Sequence, residues 1–335
     1  MPDLPRVVLT NRTFPETRAV FEDRMRIIAN DDAEPWPRAR LVEEARNANG
    51  LMAFMTDRID AEFLDACPEL RIIGAALKGY DNIDILAAAQ RGVMVTIVPD
   101  LLTEPTAELA IGLAIALGRR VLEGDALIRG GAFYGWRPNH YGVGLHGSSV
   151  GILGFGKVGQ AIARQLAGFG CSILASDLSA VVETAPQVRF VTPEHLLEAS
   201  DFVFLALPLT GETAGLIGPA ELTRMKRGAL LINPARGSLV DETAVADALE
   251  AGYLGGYAAD VFAFEDWARD DRPPQIDQRL RRPGARTVLT PHIGSATVSA
   301  RRLIEGAAAR SIAQALSGEV PDGLVTPLER LHKKC

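Results

Sequence analysis

Residues 150–160 read Val-Gly-Ile-Leu-Gly-Phe-Gly-Lys-Val-Gly-Gln. An apolar strand runs into the turn Gly154-x-Gly156-x-x-Gly159 and then into the helix-forming run Gln160–Leu166. The first glycine permits the tight turn, the second lets backbone approach a pyrophosphate, and the third lets helix and strand pack closely, with the helix N-terminus toward the phosphates. A glycine pattern alone is weak, because ordinary turns also collect glycines. Here a second apolar strand, Ser172–Ser176, follows and ends in Asp177, eighteen residues after Gly159. A carboxylate there accepts hydrogen bonds from the adenosine ribose and repels a 2′-phosphate, so the spacing predicts NAD rather than NADP.

Working outward, short apolar runs alternate with helical patterns. Strands are predicted at Val7–Leu9, Leu51–Phe54, Ile72–Ala76 and Val93–Val98, and then at Ser149–Leu153, Ser172–Ala175, Phe202–Leu205, Ala229–Ile232, Tyr257–Ala259 and Val288–Leu289. This is the pattern of an α/β chain with parallel sheets, and the six strands of the second series suit a dinucleotide-binding sheet. Thr106–Leu117 is apolar on nearly every side and predicts a helix buried between domains or subunits. A last helix, about Ser295–Leu316, carries Leu303, Ile304, Ala307, Ala308 and Ile312 on one stripe and would return the chain to the first domain. The expected division is a substrate domain from residues 1–100 and 296–335, split in sequence, around an NAD-binding domain of residues 101–295. The tail Pro321–Cys335 is polar and proline-interrupted.

With 335 residues and 47% hydrophobic content the chain can bury two cores. The net charge of −7 argues against nucleic acid or an anionic membrane as partner, so a small anion must be drawn in by local cations. No run of eighteen apolar residues exists, and the expected location is the cytoplasm. Cys67, Cys171 and Cys335 are widely spaced and odd in number, which predicts reduced thiols and no metal site. His140, His146, His195 and His332 show no ligand-like spacing either.

Three segments place polar groups where strands end, the rim at which open α/β sheets bind ligands. They are Asn233-Pro-Ala-Arg236-Gly237, Asp260-Val-Phe-Ala-Phe-Glu265 and Thr290-Pro-His292-Ile-Gly294-Ser295. Singly, each has an ordinary explanation in a solvated arginine, a surface glutamate or a turn histidine. Together they supply a cation for an anion, a titratable imidazole and a carboxylate to orient it.

These segments, in this order behind the glycine turn, resemble the NAD-dependent D-2-hydroxyacid dehydrogenases over nearly the whole chain. The resemblance implies two Rossmann-like domains with an active site in the cleft between them, a homodimer, and a triad of Arg236, Glu265 and His292. It also implies cofactor contacts from Lys78, Thr106, Gly154, Gly156, Lys157, Val158, Gly159, Asp177, Leu205, Ala206, Leu207, Pro208, Pro234, Ala235, Arg236, Asp260, His292 and Ser295. One departure stands out: the family often has proline after the glutamate, whereas this chain has Asp266-Trp267. It reads as loop variation with little bearing on the triad.

The family's substrate loop is commonly small and uncharged before Asp-Asn-Ile-Asp, and its backbone N–H groups hold a carboxylate. Here it reads Ala76-Leu77-Lys78-Gly79-Tyr80-Asp81-Asn82-Ile83-Asp84. Two unit charges ~4 Å apart interact by ~4 kcal/mol at an effective dielectric near 20, so a lysine opposite Arg236 favours a compact dianion. The loop resembles that of the phosphite-oxidising members of the family, as do Met52-Ala53-Phe54-Met55 before Asp57-Arg58, Pro99-Asp100-Leu101-Leu102-Thr103, Phe133-x-Gly135-Trp136, Tyr141-Gly142 and Glu265-Asp266-Trp267-Ala268-Arg269.

That resemblance implies phosphite as substrate and NAD as cofactor, with substrate contacts from Lys78, Gly79, Leu77, Met55, Arg236, His292 and Arg301. Met55 and Leu77 would form an apolar wall. Arg301 reads equally well as an assisting cation or as a solvated neighbour of Arg302, and Trp136 and Tyr141 as core or interface packing. Two other readings remain open: a reductase of glyoxylate or hydroxypyruvate, and a dinucleotide-sensing scaffold without turnover.

Overall fold

The computed structural model describes residues 4–98, 100–177, 187–267 and 269–327. Pro99, Ala268, His332 and Cys335, and most of the polar tail, lie outside the described residues. The chain divides into two compact units. The first comprises Met1–Leu102, Trp267–Asp270 and Ala296–Cys335, the second Thr103–Asp266 and Asp271–Ser295.

In the first unit, β1 (Arg6–Leu9), β2 (Arg26–Ala29), β3 (Gly50–Ala53), β4 (Ile72–Ala75) and β5 (Met94–Thr96) form one parallel sheet in the order β2-β1-β3-β4-β5. Strands β3 and β4 are buried along their whole length, so their apolar runs read directly as strands. β2 has no buried residue and starts on Arg26, which is why no strand was expected there.

The last helix is Val298–Leu316, capped by Thr297, whose side chain accepts from Ala300 N–H. Its buried stripe is Ile304, Ala308, Ile312 and Ala315. Leu303, expected on that stripe, is 56% exposed, one residue off the face that repeats every fourth position. The helix lies so close to the sheet that a Cβ at Gly74 would meet the Ala308 carbonyl oxygen at 2.8 Å.

In the second unit, β6 (Ser149–Leu153), β7 (Ser172–Ser176), β8 (Val188–Phe190), β9 (Phe202–Leu205), β10 (Leu230–Asn233), β11 (Gly256–Ala259) and β12 (Thr287–Leu289) form a parallel sheet in the order β12-β11-β10-β9-β6-β7-β8. The sheet has seven strands where the sequence suggested six. The addition is β8, a three-residue edge strand with one buried residue.

The apolar helix runs from Thr103 to Gly118 and packs on Lys157–Leu166, β10 and β11. Its buried side covers the second unit's own sheet. Both sheets reverse strand order once, between β1 and β3 and between β6 and β9, and open sheets bind ligands at such points. Among the described residues, no helix is long and apolar enough to cross a membrane.

Candidate active site and dinucleotide cradle

At the reversal of the second sheet, Gly154 follows β6 with φ +91, and a Cβ there would lie 2.5 Å from the Ala206 carbonyl oxygen. The glycine is thus required both by its left-handed φ and by the close approach of the chain leaving β9. Gly159 is equally confined, since a Cβ would meet the Gly154 carbonyl oxygen at 2.1 Å. Gly156 differs: a Cβ would meet nothing within 4 Å. It caps the helix Lys157–Leu166 without a side-chain acceptor for the first-turn N–H groups. These glycines leave the donors that a pyrophosphate takes, so the residues present fit a dinucleotide.

Asp177 follows β7 and is half-buried, and its Oδ2 accepts the Phe155 N–H at 2.5 Å. The carboxylate therefore sits over the glycine turn. Leu205 is buried at the end of β9, and Ala206, Leu207 and Pro208 lead away from it toward solvent. Replacing Asp177 with Ala is expected to raise the efficiency ratio of NADP over NAD by roughly 10- to 100-fold, the worth of one charge-assisted hydrogen bond. Steady-state kinetics with both dinucleotides reads this, and an unchanged ratio contradicts it.

The second unit brings Glu265 and His292 together. His292 Nδ1 lies 3.0 Å from Glu265 Oε2, while Glu265 Oε1 accepts the Phe262 N–H at 2.8 Å. An ionised carboxylate only accepts, so the pair fixes the tautomer with the proton on Nδ1 and leaves Nε2 as a base. His292 has φ +56, a left-handed conformation that a side-chain-bearing residue rarely adopts.

Asp260 holds it there. It is 1% exposed, its carbonyl accepts the His292 N–H at 2.8 Å, and its carboxylate takes the Thr290 hydroxyl (2.6 Å), the Ile293 N–H (2.8 Å) and the Gly294 N–H (2.7 Å). Burial raises the Asp260 pKa, and these donors oppose it. Thr106 reaches the same loop, since a Cβ on Gly294 would lie 3.4 Å from its Oγ1. Ser295 follows, half-buried.

Arg236 is half-buried with an extended backbone, the third residue beyond β10. Asn233 is fully buried and shapes this turn: its Nδ2 donates to the Arg236 carbonyl (2.8 Å), and its Oδ1 accepts the Ala235 N–H (3.1 Å). Pro234 is buried beside it.

In the first unit, the loop after β4 carries Leu77, 2% exposed, and then Lys78 and Gly79, both half-buried. Met55, partly buried, packs on the same apolar cluster as Leu77. Sequence reasoning missed what ties these loops together. Asn82 is 3% exposed, and its Nδ2 donates to the carbonyls of Phe54 (3.1 Å) and Asp57 (2.7 Å), stitching the loop of Met55 to that of Lys78.

Asp57 Oδ2 in turn accepts the Phe54 N–H at 2.7 Å and the hydroxyl of Thr10, which follows β1 at the reversal of this sheet. Burial pushes the Asp57 carboxyl up to about 6, against those two hydrogen bonds. A raised acid binds its proton more tightly folded than unfolded. Its contribution is therefore complete below the unfolded pKa near 4 and is lost as pH rises through about 6. Asp57→Asn should gain stability relative to the parent between pH 4 and 7, by about 3 kcal/mol for two pKa units. Melting temperatures across that range test this, and a constant difference contradicts it.

Arg301 is not the solvated arginine of one sequence reading. Its side chain is 22% exposed, its Nη2 lies 3.4 Å from Glu305 Oε1, and its guanidinium stands 5.6 Å from the Phe54 ring centroid. Burial lowers its pKa, and Glu305, itself 4% exposed, counters that. Arg302 is the exposed member, with 54% of its side chain accessible. Trp136 and Tyr141 are 76% and 72% exposed, which removes them from the core of this chain.

The family described as D-isomer specific 2-hydroxyacid dehydrogenase, NAD binding domain, matches residues 111–294. Glyoxylate reductases of Thermococcus litoralis and Pyrococcus horikoshii are 39% and 38% identical to the chain, each over 96% of both sequences. Among solved structures, a Thermus thermophilus protein superposes with a TM-score of 0.87 at 35% identity, covering 96% of this chain and 99% of that one. The NADPH-dependent glyoxylate/hydroxypyruvate reductase of Sinorhizobium meliloti, in complex with NADP and malonate, gives 0.81 at 28% identity, covering 96% and 98%. The fold and the glycine cradle define a dinucleotide-dependent oxidoreductase. More narrowly, the chain belongs to the D-isomer specific 2-hydroxyacid dehydrogenase family, and its second unit carries that family's NAD-binding domain.

Proposed function

We propose that the protein oxidises phosphite to phosphate with NAD, and that Arg236, Glu265 and His292 are its catalytic residues. The observation that carries this reading is Lys78, a half-buried cation on a loop anchored by buried Leu77 and Asn82, where the resembling dehydrogenases commonly have no charge. A second cation matters most to a dianion.

In this reaction the P–H bond breaks and a P–O bond forms, by HPO₃²⁻ + H₂O + NAD⁺ → HPO₄²⁻ + NADH + H⁺. NAD, when bound, supplies the acceptor for the hydride. His292 Nε2 takes the proton of the attacking water, and Glu265 stabilises the imidazolium through the 3.0 Å contact at Nδ1. Arg236 and Lys78 hold the oxyanion and offset the charge that grows toward phosphate. Leu77 and Met55 limit the substrate to one without a side chain, and Arg301 adds positive potential beside Phe54.

A second reading, reduction of glyoxylate or hydroxypyruvate, is favoured by the relatives: those at 38–39% identity are named glyoxylate reductases. On relatedness alone it has the stronger support. The two separate in one assay. Phosphite oxidation predicts NADH formation with phosphite and NAD, and keto-acid reduction predicts NADH loss with glyoxylate or hydroxypyruvate. Absence of both, with NAD still bound, is the result a non-catalytic scaffold gives.

The protein is further proposed to work as a homodimer. The helix Val121–Arg129 buries none of its residues in the chain, and Leu122, Ile128, Phe133, Tyr134 and Trp136 are each more than half exposed on it and the segment after it. Apolar area of this kind is what a second copy covers. Sedimentation should give twice the chain mass, with Trp136→Glu shifting it toward the monomer. A monomeric parent protein contradicts the proposal.

A further inference from the structure

Asp266 stands where the resembling family often has proline, and the structure gives it more than the loop variation the sequence suggested. It directly follows Glu265 and is 4% exposed, and its Oδ2 accepts the backbone N–H of Ser238 at 2.7 Å. Ser238 is the second residue after Arg236. The acceptor therefore links the turn carrying the proposed anion-binding arginine to the turn carrying the carboxylate that orients His292.

The two turns, Gly237–Leu239 and Ala263–Glu265, lie backbone against backbone. A Cβ on Gly237 would fall 1.8 Å from the carbonyl carbon of Phe262, so no other residue fits there. Such flat contact leaves the turns free to slide unless directional bonds pin them. Among the described residues, Ser238 N–H to Asp266 is such a bond, while Ala263 N–H to Glu242 Oε1 at 2.8 Å ties the second turn to the start of the helix Glu242–Glu250. Glu242 is 7% exposed, and burial raises its pKa, with smaller upward contributions from Asp266 and Asp277. Desolvating a carboxylate is expensive, and a loop needing only a stop would end on an uncharged residue.

We infer that Asp266 is a positioning residue: through Ser238 it fixes Arg236 in register with the Glu265–His292 pair. The inference rests on the proposed catalytic roles of those three residues. A proline at 266 would lose both this acceptor and the Asp266 N–H bond to the Ala263 carbonyl.

Three variants of the full chain test it. Asp266→Ala removes the acceptor, Asp266→Glu keeps the charge but displaces it by a methylene, and Asp266→Asn keeps an oxygen in place. Ala and Glu should lower kcat about 10- to 100-fold, the cost of a small misplacement in an oriented site, with NAD affinity unchanged and Asn recovering most of the loss. Nitrogen-15 spectra of His292 should show the Nδ1–H tautomer in the parent and in Asn, and a mixture in Ala and Glu.

Wild-type kcat and an unaltered His292 spectrum in Ala and Glu would overturn the inference. If Ala does not fold, Glu against Asn decides by the same criteria. The spectrum needs no substrate, so a parent protein that turns over neither phosphite nor keto acids sinks the proposed function while the coupling is still decided by the tautomer.

Discussion

His292→Ala is expected to lower kcat by roughly 10²- to 10⁴-fold, the usual contribution of a positioned general base. The NAD dissociation constant should change little, because the glycine cradle and Asp177 are built on β6, β7 and the helix Lys157–Leu166, not on the loop after β12. The reason lies in how much of the chain is committed to this one imidazole. Asp260 spends both carboxylate oxygens on its loop, and Glu265 is itself oriented by the Phe262 N–H. Substantial residual turnover would mean that another group removes the proton.

Lys78→Ala should raise the phosphite KM by about 100-fold, the loss expected when an ionic hydrogen bond to a dianion is removed. The loss should be smaller for a monoanion such as glyoxylate, because the Coulomb energy scales with the charge held. Lys78→Arg is not a conservative control, because the planar guanidinium cannot replace the compact ammonium on so confined a loop. Kinetics of Lys78→Ala matching the parent would remove lysine from the substrate site and leave the keto-acid reading in possession.

How much of this was legible beforehand follows from where each signal is stored. The pairing of Glu265 with His292, 27 positions apart, came with the family resemblance, whereas the glycine cradle was readable because one contiguous stretch fixes which groups end a strand. Buried β3, β4, β6 and β9 were readable for a similar reason, since full burial leaves an unbroken apolar run. The edge strands β2 and β8 were not. They are short, and exposed Arg26 and Arg189 break their pattern.

The Asn82 and Asp57 ties escaped because each is a hydrogen bond between residues more than twenty positions apart, and isolated polar residues read as surface. Asp266 was visible as a departure but not as a function, since its partner is a backbone N–H, which leaves no mark in a sequence. Glu305 did leave one, four residues after Arg301 on a helix, the spacing at which opposite charges meet.

The most direct test of the central claim is the fate of oxygen when the purified protein meets phosphite, NAD and ¹⁸O-labelled water. The account predicts phosphate carrying one labelled oxygen, formed in equal amount with NADH. No phosphate above background, together with brisk NADH consumption on glyoxylate, would contradict it.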